Sequence, residues 1–331
     1  MTYSSRIKEA KGQKSMIITV TFNPAIDKTA YVDNLVVGGL NRLEHVIADA
    51  GGKGVNVSKT IQQLQGATIA TGFLGGSAGQ FILNNLNDLG IQTDFIEVEG
   101  QTRTNLKVLN QNMELTELNE PGPIVTDQDI EKLIDRILTI AKQDPDQTWV
   151  VLSGNVGPGV NKDIYQNLIS RFQQENIKTI LDADGELFKN GVKAKPYFIK
   201  PNRFELSQYF GVEEELSNEK VIELASTFLN DQTKLVVVSM GIEGSIFLTA
   251  DEVILAKALT IDYRSAVGAG DAMVAAIAWG LEQNMSLDDL VSWSVATSAG
   301  ACMSEGTSPA SRQVIEQLKP RVEATKWQKI K

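Results

Sequence analysis

Trp149-Val150-Val151-Leu152-Ser153, a helical-period segment from Lys162 to Phe172, and Thr179-Ile180-Leu181-Asp182 together form the stretch that settles the architecture. The two short apolar runs carry no alternating polar positions, so both faces of each are buried. Between them, apolar residues recur at helical spacing (Ile164, Tyr165, Leu168, Ile169, Phe172). Strand, amphipathic helix, strand is the unit of a parallel sheet covered on both faces. The same unit extends in both directions. Ile17–Phe22, Thr68–Phe73, Phe198–Lys200 and Leu235–Ser239 read as further buried strands, and Val55–Leu64, Phe81–Leu89, Asp129–Ala141 and Val221–Leu229 as helices. The last third reads as helical: Ala269–Glu282, Leu287–Met303 and Ser311–Ala324.

Two regions break the alternation. Asp27–Ala48 and Gln101–Asn119 have mixed polar and apolar positions and hairpin character, each after a strand. They predict a small β lid over one edge of an α/β body. No Pro-, Gly- or Ser-rich linker separates them, so residues 16–331 are expected to form one domain with a lid at about 27–48 and 101–119. Met1–Ser15 is polar and patternless, and reads as a disordered or extra N-terminal segment ahead of the first strand.

With 331 residues, of which 42% are hydrophobic, the chain can bury one large core. It has no membrane-length apolar run and no signal-peptide core at its start. The net charge of −10, from 31 basic and 41 acidic side chains, argues against nucleic acid or anionic membranes as partners. Anionic substrates would need a local cationic pocket against that field. Cys302 is the sole cysteine, which excludes an internal disulfide and predicts a cytoplasmic protein. With one histidine and one cysteine, any metal must be bound by oxygen, as magnesium is.

Six motifs carry candidate chemistry. Gly268-Ala269-Gly270-Asp271 precedes the apolar run Ala272–Ile277 and reads as a glycine turn opening a buried helix. Free N–H groups there attract anions. A carboxylate beside an anion site suits proton acceptance from an attacking hydroxyl, with helix capping as the alternative for Asp271. Ala50-Gly51-Gly52-Lys53-Gly54-Val55-Asn56 offers close backbone approach, a cation and an amide, without Walker A spacing. Thr21-Phe22-Asn23-Pro24-Ala25-Ile26-Asp27 ends a strand in a proline turn, where Asp27 suits sugar hydroxyls or serves only the turn. In Thr102–Lys107, strand alternation puts Arg103, Asn105 and Lys107 on one face, suited to a lid over an anion or to a solvated edge. Lys200-Pro201-Asn202-Arg203-Phe204-Glu205 pairs Asn202 and Glu205 as a capping box, or places them near hydrated magnesium. Ser239-Met240-Gly241-Ile242-Glu243-Gly244 is a strand followed by a glycine turn.

In this order, from Ile17 to the C-terminal helices, the motifs resemble the ribokinase-like (PfkB-type) carbohydrate kinases. The resemblance implies a ribokinase-like three-layer α/β sandwich with a mainly parallel central sheet and a small β-sheet lid. It implies ATP and Mg2+ as cosubstrates and phosphoryl transfer to a sugar phosphate. By position, Asp271 is the implied base and the amides of Gly268, Ala269 and Gly270 the anion hole. Asp27, Gly52, Lys53, Asn56 and Arg103 are implied to hold the sugar phosphate, with Lys107 beside them. Lys200, Asn202, Ser239, Gly241 and Gly244 are implied nucleotide contacts, and Glu205 acts on the metal through water. The resemblance further implies a homodimer joined through the lids, with Arg42 reaching the partner's site. Thr102–Lys107 and Thr116–Pro123 direct the substrate expectation to the 6-hydroxyl of fructose 1-phosphate, giving fructose 1,6-bisphosphate. Tagatose 6-phosphate is the alternative substrate, and a non-catalytic sugar-phosphate sensor the alternative class. Two departures stand out: Ser153-Gly154-Asn155-Val156-Gly157-Pro158-Gly159 on the substrate side, and Ala266 where a threonine is common.

Overall fold

The structure, a computed structural model, describes residues 16–112, 114–142 and 144–327. The expected N-terminal segment lies outside these residues. In chain order the first strands are β1 (Met16–Thr21), β2 (Ala25–Tyr31), β3 (His45–Gly51), β4 (Thr68–Leu74), β5 (Gln92–Thr93), β6 (Ile96–Glu97), β7 (Arg103–Leu109) and β8 (Leu115–Asn119). They are followed by β9 (Thr148–Ser153), β10 (Lys178–Asp182), β11 (Phe198–Ile199), β12 (Leu235–Ser239), β13 (Ser245–Leu248), β14 (Val253–Ala256) and β15 (Ala324–Lys326). The helices are α1 (Lys53–Gln63), α2 (Gly76–Asp88), α3 (Asp127–Ala141), α4 (Ile164–Gln173), α5 (Gly185–Gly191), α6 (Arg203–Phe210), α7 (Asn218–Ser226), α8 (Ala269–Glu282), α9 (Leu287–Cys302) and α10 (Arg312–Leu318).

The large sheet runs β15-β14-β13-β12-β11-β10-β9-β1-β4-β5, with β6 also on β4. It is parallel from β12 through β4 to β5 and β6, and antiparallel from β12 outward to β15. Strand alternation sorts its side chains into two cores. Ile18, Val150, Leu181 and Val236 pack with α3 to α7, whereas Ile17, Val151, Ile180 and Val237 pack with α1 and α8 to α10. This is the expected three-layer sandwich. A separate sheet, β3-β2-β7-β8, forms from the two hairpin regions, with β2 and β7 parallel. Its Ile26 and Ala50 pack on Val55 of α1 and on Ile82 and Leu86 of α2.

Local chemistry sets several ends. Thr126 and Asp129 close a capping box on α3, and Ser217, Ser286 and Ser311 cap α7, α9 and α10. The reading of Ser311–Ala324 as one helix needs correction. The α-helix stops at Leu318, and a 3-10 turn over Lys319–Arg321 leads into β15. Pro320 cannot donate the next helical hydrogen bond, so the chain leaves the helix and finds partners on the edge of β14. α2 begins five residues before the expected Phe81, and the β13–β14 hairpin was not anticipated. Among the described residues no helix is long and apolar enough to cross a membrane.

Candidate active site

From β1 the sheet grows one way to β4 and the other way to β9, β10, β11 and β12. Crevices in open α/β sheets form at such a reversal, beyond the carboxyl ends of the strands. Apart from Arg42, the singled-out side chains gather at that edge.

Helices α1 and α8 lie on the same face and bring their N-termini together there. Gly268 is the N-cap of α8, with φ 81°, and Asp271 sits in the first turn without making a cap hydrogen bond. The capping alternative for Asp271 is therefore not what forms. Instead Asn56 Nδ2 of α1 donates to Asp271 Oδ2 at 2.8 Å. Asp271 is 7% exposed, and burial pushes its carboxyl up to about 6, against the pull of Lys53. Asn56 Oδ1 is buried with no hydrogen-bond partner among the described residues.

Beside this pair lies a carboxylate that sequence reading missed. Asp182, the last residue of β10, is 1% exposed and lies between two ammonium groups. Lys53 Nζ donates to its Oδ2 at 3.3 Å, and Lys200 Nζ lies 3.2 Å from its Oδ1. Ser153 Oγ donates to the same Oδ2 at 3.3 Å. Burial alone would raise this acid, yet Lys200 and Lys53 together pull it down to about 2. Asp182 in turn holds Lys53 above the ordinary lysine range, against burial. The available signal was positional: a carboxylate ending an apolar strand at the ligand edge of a parallel sheet. Lys200 belongs to this cluster, and a Cβ on Gly270 would stand 3.4 Å from its Nζ. The cation assigned to the nucleotide thus lies against the glycine turn.

The small sheet contributes the facing wall. The expected alternation holds: Asn105 Nδ2 donates to Asp27 Oδ1 at 3.0 Å, and Lys107 Nζ is 3.9 Å from Asp27 Oδ2. Arg103 Nε donates to the Asn23 carbonyl at 3.2 Å. Gly52 is the N-cap of α1. Arg42 is exposed, in the connection between β2 and β3 and outside this cluster.

The remaining set lies at the ends of β11 and β12. Asn202 bridges to Ser239, whose N–H donates to the Pro201 carbonyl at 3.1 Å. Asn202 and Glu205 form the capping box in full, since Asn202 Oδ1 accepts from the Glu205 N–H and Glu205 Oε2 from the Asn202 N–H, both at 2.8 Å. Burial raises the Glu205 carboxyl, and Glu205 also lines a cavity of about 430 Å³ with Asn155 and Asp184. Gly241 opens a 3-10 turn. Gly244, with φ 106°, is required by packing, because a Cβ there would collide with the Ala256 carbonyl.

Residues 20–313 match the model of the pfkB family of carbohydrate kinases. The chain belongs to that family. As a pfkB carbohydrate kinase it is a phosphotransferase with an alcohol group as acceptor. It is 31% identical to a 1-phosphofructokinase of Bacillus subtilis (strain 168), covering 94% of this chain and 100% of the relative. It is 32% identical to a 1-phosphofructokinase of Vibrio cholerae serotype O1, over 93% and 96% of the two chains. Among solved structures it resembles phosphofructokinase-2 from Escherichia coli in complex with potassium, with TM-score 0.87, 28% identity, and 93% and 99% coverage. This pfkB kinase therefore has the ribokinase-like sandwich and small sheet that its motifs implied.

Proposed function

We propose that this kinase transfers the γ-phosphoryl of MgATP to the 6-hydroxyl of fructose 1-phosphate, giving fructose 1,6-bisphosphate. The observation that carries the reading is Asp271: a buried carboxyl pushed up to about 6, in the first turn of α8, with Lys53 and Lys200 nearby. A base poised near neutrality can take the hydroxyl proton as the oxygen attacks phosphorus. The amides of Gly268, Ala269 and Gly270, with the two lysines, stabilise charge on the transferring group. The 1-phosphofructokinase relatives support the choice of sugar phosphate.

In this reading Asp27, Gly52, Lys53, Asn56, Arg103 and Lys107 hold the sugar phosphate. Asn202, Ser239 and Gly241 contact nucleotide, and Lys200 serves the phosphoryl rather than the base or ribose. Gly244 shapes the turn without needing a ligand contact. The donor set fits magnesium held chiefly by nucleotide phosphates and water, with Glu205 offering its second carboxylate oxygen. It does not fit an all-protein cage, since no cluster of three or more His, Cys, Asp or Glu side chains among the described residues is arranged for a metal. When bound, the metal neutralises phosphate charge. We place the enzyme in the cytoplasm, where ATP and a free Cys302 thiol coexist. We also assign it a homodimer joined through the small sheets. Exposed Leu35, Val36, Val37, Leu40, Leu43, Leu115 and Leu118 support that assembly.

ADP release measured with fructose 1-phosphate, fructose 6-phosphate and tagatose 6-phosphate tests the reading. Preference for fructose 1-phosphate is expected. Preference for tagatose 6-phosphate would reassign the substrate, and no turnover with any of them would leave a sensor.

A further inference from the structure

Tyr165 of α4 is completely buried, and its ring packs edge-on against Phe22 at 5.7 Å between centroids. A phenylalanine would fill that space as well, so packing does not account for the hydroxyl. Burying a hydroxyl is costly unless it is bonded. Here its bond is to one backbone group: Tyr165 Oη donates to the Gly154 carbonyl at 2.9 Å. Gly154 directly follows β9 and holds φ 93°, the left-handed region that a glycine enters freely. Its own N–H donates to the Asp182 carbonyl at 2.9 Å. Both sides of the residue are thus tied, one to α4 and one to the end of β10.

Gly154 also faces the stem of Lys53, across a space that a single methyl would fill. A Cβ at Gly154 would stand 3.4, 3.5 and 3.7 Å from Cβ, Cγ and Cδ of Lys53. The Lys53 side chain is 37% exposed, so its stem has room to move and its aim depends on what holds its end. Its ammonium bonds to Asp182 at the far end, with Asp271 and Glu205 adding attraction from further away. We propose that Tyr165 is a positioning residue: its hydroxyl fixes the Gly154 peptide, which ties the end of β10 at Asp182, and so aims the Asp182-bound ammonium of Lys53 at the substrate phosphoryl site. The proposal rests on the reading of Lys53 as a substrate-side cation.

The test is a double-mutant cycle with Tyr165→Phe, Lys53→Met and the pair. Tyr165→Phe should fold, keep the KM for ATP, and raise the KM for sugar phosphate about 3- to 10-fold, the scale of one lost hydrogen bond. In the Lys53→Met background the same change should have no further effect on sugar-phosphate affinity measured by calorimetry. Equal losses in both backgrounds, or no loss in either, would overturn the positioning role. The same cycle read in urea midpoints needs no substrate. If the wild-type protein turned over no sugar phosphate, the kinase reading would fail, while coupling between Tyr165 and Lys53 in unfolding would still support the part of the proposal in which Tyr165 positions Lys53. Strict additivity there would overturn it.

Discussion

Burial raises the Asp271 carboxyl toward neutrality, and the same burial makes its charge a cost to the fold. A folded pKa of about 6, above the ordinary carboxylate value, means that the native state binds a proton the unfolded chain has already released. Stability contributed by this residue therefore grows as the pH falls from about 6 toward about 4. Asp271→Asn should be more stable than the parent at pH 8, by on the order of 1–3 kcal/mol, with the gap closing below pH ~5. Urea midpoints at both pH values check this; a variant no more stable at pH 8 would contradict it. Its turnover should fall by roughly two to four orders of magnitude. In the parent, kcat/KM should lose activity as pH drops through about 6, and the residual activity of Asp271→Asn should lack that limb. Substrate affinity is a separate matter, divided between two cations on one strand. Arg103 spends its Nε on the Asn23 carbonyl and keeps its terminal nitrogens for a bidentate grip, whereas Lys107 stands beside Asp27. They are roughly 13 Å apart along an extended strand, too far to share one phosphate. Arg103→Ala should raise the KM for sugar phosphate by about 10- to 150-fold and leave that for ATP nearly unchanged. Lys107→Ala should do less, and steady-state kinetics on both variants decides between them.

At the scale of elements, α6 offers a clean separation of structural from functional roles. Asn202 closes the capping box with Glu205, so Asn202→Ala should cost about 1 kcal/mol of stability. Asn202→Ser keeps a capping oxygen and should restore that stability. It shortens the side chain, so the KM for ATP should stay raised if Asn202 also meets nucleotide; recovery of both together would leave Asn202 only a cap. This box was legible in the sequence because capping is a contact over three residues. The end of the chain was less so. Apolar spacing continued past Leu318, but Pro320 cannot donate, and the edge of β14 supplied partners that helical periodicity cannot reveal.

At the scale of the whole molecule, the small sheet leaves apolar side chains in solvent on the side that holds Arg42. Val37 is 93% and Leu40 78% exposed, with Val36 and Leu43 exposed beside them in the same connection, a cluster of apolar side chains suited to a partner. A double Val37→Asp, Leu40→Asp variant should be a monomer by light scattering at micromolar concentration, where the parent should be a dimer. Its turnover should fall, because Arg42 would no longer reach a partner's site. A parent that is monomeric and fully active would remove the assembly from the account.

Short-range periodicity was enough to determine the parallel sheet, its two helical layers and the second small sheet, since burial on both faces or on one stripe is written within each segment. The glycine turns, Lys53 and Asp271 were likewise visible as local motifs. What only the tertiary structure decided is which strand ends meet. Asp182 looked like the last residue of an apolar strand until β10 took its place two strands from β1, where Lys53 reaches it across 129 residues of sequence. Lys200 meets Asp182 for the same reason, and the Tyr165 hydroxyl meets the Gly154 carbonyl. Sheet order is fixed by packing between distant segments, so charges that no local pattern relates become neighbours only when the core closes.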